Sequence, residues 1–161
     1  ETLATFFRYS DNFCPNKIHL KLNKEINSVL DKNKNINEVI LMGHSYGGMI
    51  VSIFSDKWIH EIPLTIHTVA APLSGPVLSD PRSGLFKNIC EYNPPSMIRE
   101  NIDFYQWRTI KELDGIFKDL EYDPQTVKLK GSTVVRLPNT YNGKRLGHNW
   151  SLSWVAEQIV E

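Results

Sequence analysis

Apolar positions along this chain change period several times, and each change marks a new element. Leu3-Ala4-Thr5-Phe6-Phe7-Arg8-Tyr9 alternates as a first strand. Over residues 17–31, Ile18, Leu22, Ile26, Val29 and Leu30 recur at helical spacing. Glu38-Val39-Ile40-Leu41-Met42 is an apolar, β-branched run that reads as a buried strand. Gly48-Met49-Ile50-Val51-Ser52-Ile53-Phe54 opens a helix that ends near Trp58. Further strands are predicted over 63–70, 101–110 and 132–136, and a last helix over 149–160. Residues 71–101 are rich in proline and carry neither period, so they read as an irregular insertion. Strands alternating with helices imply an α/β fold, a mostly parallel sheet covered by helices on both faces. The expected organisation is one domain over 1–161, with 71–101 as a cap.

Between the second strand and its helix stands Gly43-His44-Ser45-Tyr46-Gly47, which matches Gly-x-Ser-x-Gly. Strand, sharp turn and helix are the setting this pattern needs. The turn holds the serine in a strained conformation and projects its hydroxyl clear of the chain. Gly43 and Gly47, without Cβ atoms, let strand and helix approach closely. Ser45 is therefore the candidate nucleophile, against the plainer reading of a glycine-rich turn.

A serine hydroxyl needs a base to take its proton. His148, in Gly147-His148-Asn149, follows the last predicted strand and precedes the last helix. His19 precedes the serine, His60 lies just past the helix that follows it, His67 falls inside a strand pattern, and His44, although adjacent to Ser45, is expected to point elsewhere. The acid is expected between Ser45 and His148, just beyond a strand end. Asp114, in Leu113-Asp114-Gly115, has that position; Asp123 and Asp119 are rivals.

With these residues in place the chain resembles an α/β-hydrolase of the lipase and esterase type, N-terminally short. The resemblance rests on Gly43 to Gly47, on Ala70-Ala71-Pro72-Leu73-Ser74-Gly75 after the next strand, on Asp114, and on Gly147-His148, in that order. It implies acyl transfer to water through a seryl ester, with Asp114 orienting His148 and the Tyr46 N–H stabilising the oxyanion. The expected substrate is a small-molecule or lipid acyl ester. An acyltransferase or thioesterase using the same residues, and a non-catalytic binding domain, are the alternatives. Such hydrolases carry an upstream loop that lends a second oxyanion donor, and nothing here supplies it. The chain opens on Glu1, so a piece of a longer protein is expected.

Composition changes little in this picture. The 161 residues include 18 basic and 18 acidic side chains and are 41% hydrophobic, which suits one globular domain and gives no basic surface for nucleic acid. No apolar run approaches the ~18 residues of a membrane span. No metal or cofactor is expected, since no Cys/His cluster has ligand spacing. Cys14 and Cys90 either pair or remain free thiols. The compartment stays open. In the insertion, Leu73, Val77, Leu78, Leu85, Phe86, Met97 and Ile98 either line an acyl-chain pocket or pack the loop onto the body. Trp150 and Trp154, one turn apart, are expected to anchor the last helix to the sheet.

Overall fold

A computed structural model describes residues 2–11, 13–75 and 92–160. Its first helix, α1 (Pro15–Lys32), starts where Pro15 supplies a preset φ and gives up no needed N–H. Ile18, Leu22 and Ile26 fall on one side of α1 and are buried. Cys14, the residue before it, is disulfide-bonded. Cys90, the chain's other cysteine, lies outside the described residues.

Strands β1 (Val39–His44), β2 (Leu64–Val69), β3 (Ile102–Arg108) and β4 (Thr133–Arg136) form one parallel sheet in the order β1-β2-β3-β4. Alternation then sorts the side chains. Val39, Leu41, Leu64, Ile66, Ile102 and Phe104 share one face through their register, and they pack with Met49, Ile50 and Phe54 in the main core. The other face is covered toward its C-terminal end. There Val69 and Trp107 meet Val155 and Trp154 of the last helix, α4 (His148–Val160). On β1 the same face leaves Ile40 51% exposed, so the two-sided covering expected of a parallel sheet is incomplete among the described residues.

Four expectations change. Residues 3–9 do not form a strand and lie outside the sheet. Phe7 packs on the core and stacks near Tyr9, which leans on Tyr46, while Phe6 is 94% exposed. Packing of Phe7 on the core and the contact of Tyr9 with Tyr46, not a ladder of backbone bonds, hold this segment. The helix after the serine divides into α2 (Tyr46–Ser52) and α3 (Phe54–Lys57). Ser52 Oγ donates to the Met49 carbonyl one turn back, a bond that competes with the helical ladder beside the break. A small hairpin, β5 (Thr140–Tyr141) and β6 (Lys144–Arg145), was not anticipated. Its turn residues Asn142 and Gly143 both have positive φ, the conformation an Asn-Gly hairpin turn requires. Finally, Trp154 meets Trp107 of the sheet as expected, but Trp150 packs against Tyr141 and Lys144 of the hairpin.

In the insertion, Leu73 is buried in the core and Ile98 packs against it, while Met97 is exposed. Val77, Leu78, Leu85 and Phe86 lie outside the described residues. No helix among the described residues is long and apolar enough to cross a membrane.

The glycines around Ser45 differ in kind. A Cβ on Gly43 would sit 2.2 Å from the Gly47 carbonyl oxygen, and one on Gly48 2.3 Å from the Ala71 Cβ. A Cβ on Gly47 would meet only the Tyr9 side chain, at 3.0 Å from its hydroxyl. Close backbone approach therefore rests on Gly43 and Gly48 more than on Gly47. Gly43→Ala should cost at least about 3 kcal/mol, at or beyond the upper end of overpacking penalties, whereas Gly47→Ala should cost about 1 kcal/mol or less. Urea unfolding of the two variants checks this, and equal losses would contradict the steric assignment.

Candidate active site

Ser45 occupies the one-residue turn between β1 and α2 with φ 54° and ψ −120°. Left-handed φ in a residue with a Cβ costs about 1–3 kcal/mol and persists only when its surroundings impose it. Here they do. The Ser45 N–H donates to the Val69 carbonyl at 2.8 Å, which ties the turn to β2, and its carbonyl accepts from the Gly48 N–H at 3.0 Å. Ala70, immediately after β2, also has positive φ (46°) and donates to the Trp107 carbonyl at 2.9 Å. The ends of three neighbouring strands are thus cross-linked at the sheet edge where Ser45 sits.

Asp114 follows a single 3-10 turn (Lys111–Leu113) beyond β3. Its carboxylate is fully buried and accepts four hydrogen bonds. Oδ1 takes the N–H groups of Ile116 (2.9 Å) and Phe117 (3.2 Å), an Asx-type turn made by its own loop. Oδ2 takes the Thr109 hydroxyl (2.6 Å) and His148 Nδ1 (2.9 Å). Burial alone would push this carboxyl up. The hydrogen bond and charge of His148, with the bonds from Thr109 and Ile116, hold it below the usual carboxylate range.

His148 begins α4 and is 8% exposed. Because an ionised carboxylate can only accept, Nδ1 carries the proton, which leaves Nε2 as the acceptor of the neutral ring. Phe117 packs edge-on against the imidazole, with centroids 5.1 Å apart and planes at 90°. The His148 carbonyl accepts from Ser151 Oγ (2.5 Å) and from His44 Nε2 (2.8 Å). His44 therefore does not point away: it ties the residue before Ser45 to the backbone of His148, and the two rings lie 4.8 Å apart. Burial, then the neighbouring His148, pushes the His44 ring down, which favours its neutral form. Among the described residues no hydrogen bond joins Ser45 to His148, and such bonds are often long before substrate binds.

The rivals fall elsewhere. Asp119 is exposed. Asp123 Oδ1 accepts from the N–H and the side-chain amide of Gln125, at 3.0 and 3.1 Å, and not from His148. His67 is buried in β2 and accepts from Trp107 Nε1 at 3.0 Å, a core histidine as expected. Tyr46 heads α2, and its hydroxyl bonds the Phe13 carbonyl. No group of three or more His, Cys, Asp or Glu among the described residues could hold a metal ion. Sequence reasoning missed Thr109 and Gln125, which carry no motif; for Gly147, read there only beside His148, the structure adds a steric role, since a Cβ would lie 2.8 Å from the Leu113 carbonyl.

Residues 17–134 match the family described as PGAP1-like alpha/beta domain. No curated protein and no solved structure matches the chain.

Two outcomes follow from this geometry. Asp114, with its lowered folded pKa, stabilises the protein above the ordinary carboxyl value of 3.8, and that contribution is lost as pH falls through the folded value. In urea titrations wild type should exceed Asp114→Asn by about 2–3 kcal/mol at neutral pH, a gap that narrows below pH 3.8; a pH-independent gap would contradict it. Gly147→Ala should push the Asp114 loop away from His148, because the obstructing atom is backbone. The low-field proton resonance of the His148 Nδ1–H should weaken or disappear in that variant; an unaltered resonance would show that the loops can yield.

Proposed function

Since the chain belongs to the PGAP1-like alpha/beta domain family, within the α/β-hydrolase superfamily, we propose that it is a serine hydrolase acting on carboxylic esters. The observation that supports this most is the buried Asp114–His148 hydrogen bond, carried by the loop after β3 and the start of α4 at the same sheet edge as the strained Ser45. Ligands of open parallel sheets bind outside the carboxyl ends of the strands, and all three residues lie there.

In this reading Ser45 Oγ attacks the acyl carbonyl while His148 Nε2 takes its proton. The carbonyl electrons move onto oxygen, where the Tyr46 backbone N–H stabilises the charge. Collapse of the tetrahedral adduct breaks the ester C–O bond, and the proton on His148 passes to the leaving alcohol. Water then attacks the seryl ester, His148 takes its proton, and the carboxylic acid leaves with Ser45 regenerated. Asp114 holds the Nδ1–H tautomer and stabilises the transient imidazolium. The substrate class proposed is a small-molecule or lipid acyl ester.

A fluorophosphonate probe should label wild type at Ser45 and leave Ser45→Ala unlabelled, and the alanine variant should lose hydrolysis of a p-nitrophenyl ester. Absence of labelling in wild type would leave a hydrolase-fold binding domain instead. Asp114→Asn should lower kcat/KM on the order of 10³- to 10⁴-fold by presenting the wrong group to the ring. Asp123→Asn, which alters the support of Gln125 and the charge near Arg108 but no contact of His148, should stay within about tenfold. The reverse order would assign the acid to Asp123.

A further inference from the structure

Thr109 is the first residue beyond β3, and it is 2% exposed. On the side of β3 that Thr109 faces, the backbone ladder with β2 ends two residues earlier, at Val69 and Trp107. In place of a strand neighbour, Thr109 meets the side-chain amide of Gln125. Its N–H donates to Gln125 Oε1 at 2.9 Å, and its carbonyl accepts from Gln125 Nε2 at 3.1 Å. That two-point clamp imitates the bond pair one strand offers another. The amide cannot be reversed. Its NH₂ faces two acceptors, the Thr109 carbonyl and Asp123 Oδ1, while its oxygen faces a donor.

The clamp leaves the Thr109 hydroxyl with one use. A hydroxyl has a single proton, and two acceptors are in reach, Asp114 Oδ2 at 2.6 Å and Gln125 Oε1 at 3.2 Å. The shorter contact is to the charged oxygen, which is the stronger acceptor, so the proton goes to Asp114. That oxygen is also the one that receives His148 Nδ1–H. With Oδ1 held by two backbone N–H groups, all four lone-pair sites of the carboxylate are occupied.

We propose that Thr109, held by the Gln125 amide, is a positioning residue that fixes the plane of the Asp114 carboxylate and through it the tautomer and orientation of the His148 ring. This rests on the serine-hydrolase reading above. Without the hydroxyl, Oδ2 keeps an unfilled lone pair in a dry site, and only His148 restrains that oxygen. The carboxylate can then turn about the bond to its own Cβ, and His148 loses the directed acceptor that selects the Nδ1–H form. Asp123, the rival acid, takes a different part: it orients Gln125, two hydrogen-bonded groups away from Asp114.

Thr109→Val keeps the shape and the backbone clamp and removes only the hydroxyl; Thr109→Ser restores it. Thr109→Val should lower kcat for a p-nitrophenyl ester roughly ten- to a hundredfold with KM unchanged, the range for a lost hydrogen bond to a charged group. Thr109→Ser should recover to within about threefold of wild type. In protein labelled with ¹⁵N-histidine, the neutral His148 ring should hold one tautomer in wild type and Thr109→Ser, and mix tautomers in Thr109→Val. If the valine variant does not fold, Thr109→Ala takes its place with the same expectations. Wild-type kcat with a single tautomer in the hydroxyl-free variant overturns the proposal, as does a serine variant no better than valine. Fluorophosphonate labelling of wild-type Ser45 separates the two levels. Its absence overturns the hydrolase reading and this proposal together, whereas labelling with an unaffected Thr109→Val overturns this proposal alone.

Discussion

A carboxylate with no exposed surface must find all of its hydrogen bonds within the protein, and that demand at Asp114 organises much of the sheet edge. Four donors converge on it from three places: its own loop, the end of β3, and the start of α4. None of these is adjacent in sequence to all the others, so the carboxylate can be satisfied only when loop, strand and helix are already docked. The lowered carboxyl pKa expresses the same constraint in electrostatic form. Donors and the nearby ring outweigh a burial that would otherwise raise it.

The same edge carries a second constraint, steric and not electrostatic. Gly43 lies so close to the Gly47 carbonyl, and Gly48 so close to Ala71, that no side chain fits at either position. This contact presses α2 against β1 and β2 and leaves Ser45 at the apex of the turn, its backbone bonded to Val69 and Gly48. At the far side Gly147 lies against the Leu113 carbonyl and lets the strand of chain before His148 run beside the Asp114 loop. Strain at Ser45 and close packing at these glycines are two sides of one arrangement. The cost of the unusual φ is borne by contacts elsewhere in the fold. His44 joins the two constraints, since it precedes Ser45 and donates to the His148 backbone.

Most elements were legible because their hydrophobic period was clean. The α1 stripe of Ile18, Leu22 and Ile26, the apolar run of β1, and the strands around Ile66 and Phe104 all appear where the pattern puts them, within a residue or two. The failure at residues 3–9 has the same root. An alternating run reports that one side will be buried, not what buries it. Phe7 and Tyr9 found their partners in the core and in the Tyr46 ring, without a neighbouring strand. The hairpin at 140–145 was missed despite the Asn142-Gly143 turn signal, because its strands are too short to show a period.

By itself the sequence determined the order of the four sheet strands and of the helices between and after them, the strand-turn-helix around Ser45, and a short set of candidate acids and histidines. These depend on local chemistry: periodicity, glycine geometry, and the side chains able to exchange a proton. Tertiary structure decided which candidates meet. It put Asp114, and not Asp123, on His148 Nδ1, turned His44 toward the His148 backbone, and brought Thr109 and Gln125 into the network. Gln125 is 16 residues from Thr109 along the chain, and His148 is 34 from Asp114. Neither separation follows a local period, because parallel strands become neighbours only after the connections between them have folded back across the sheet.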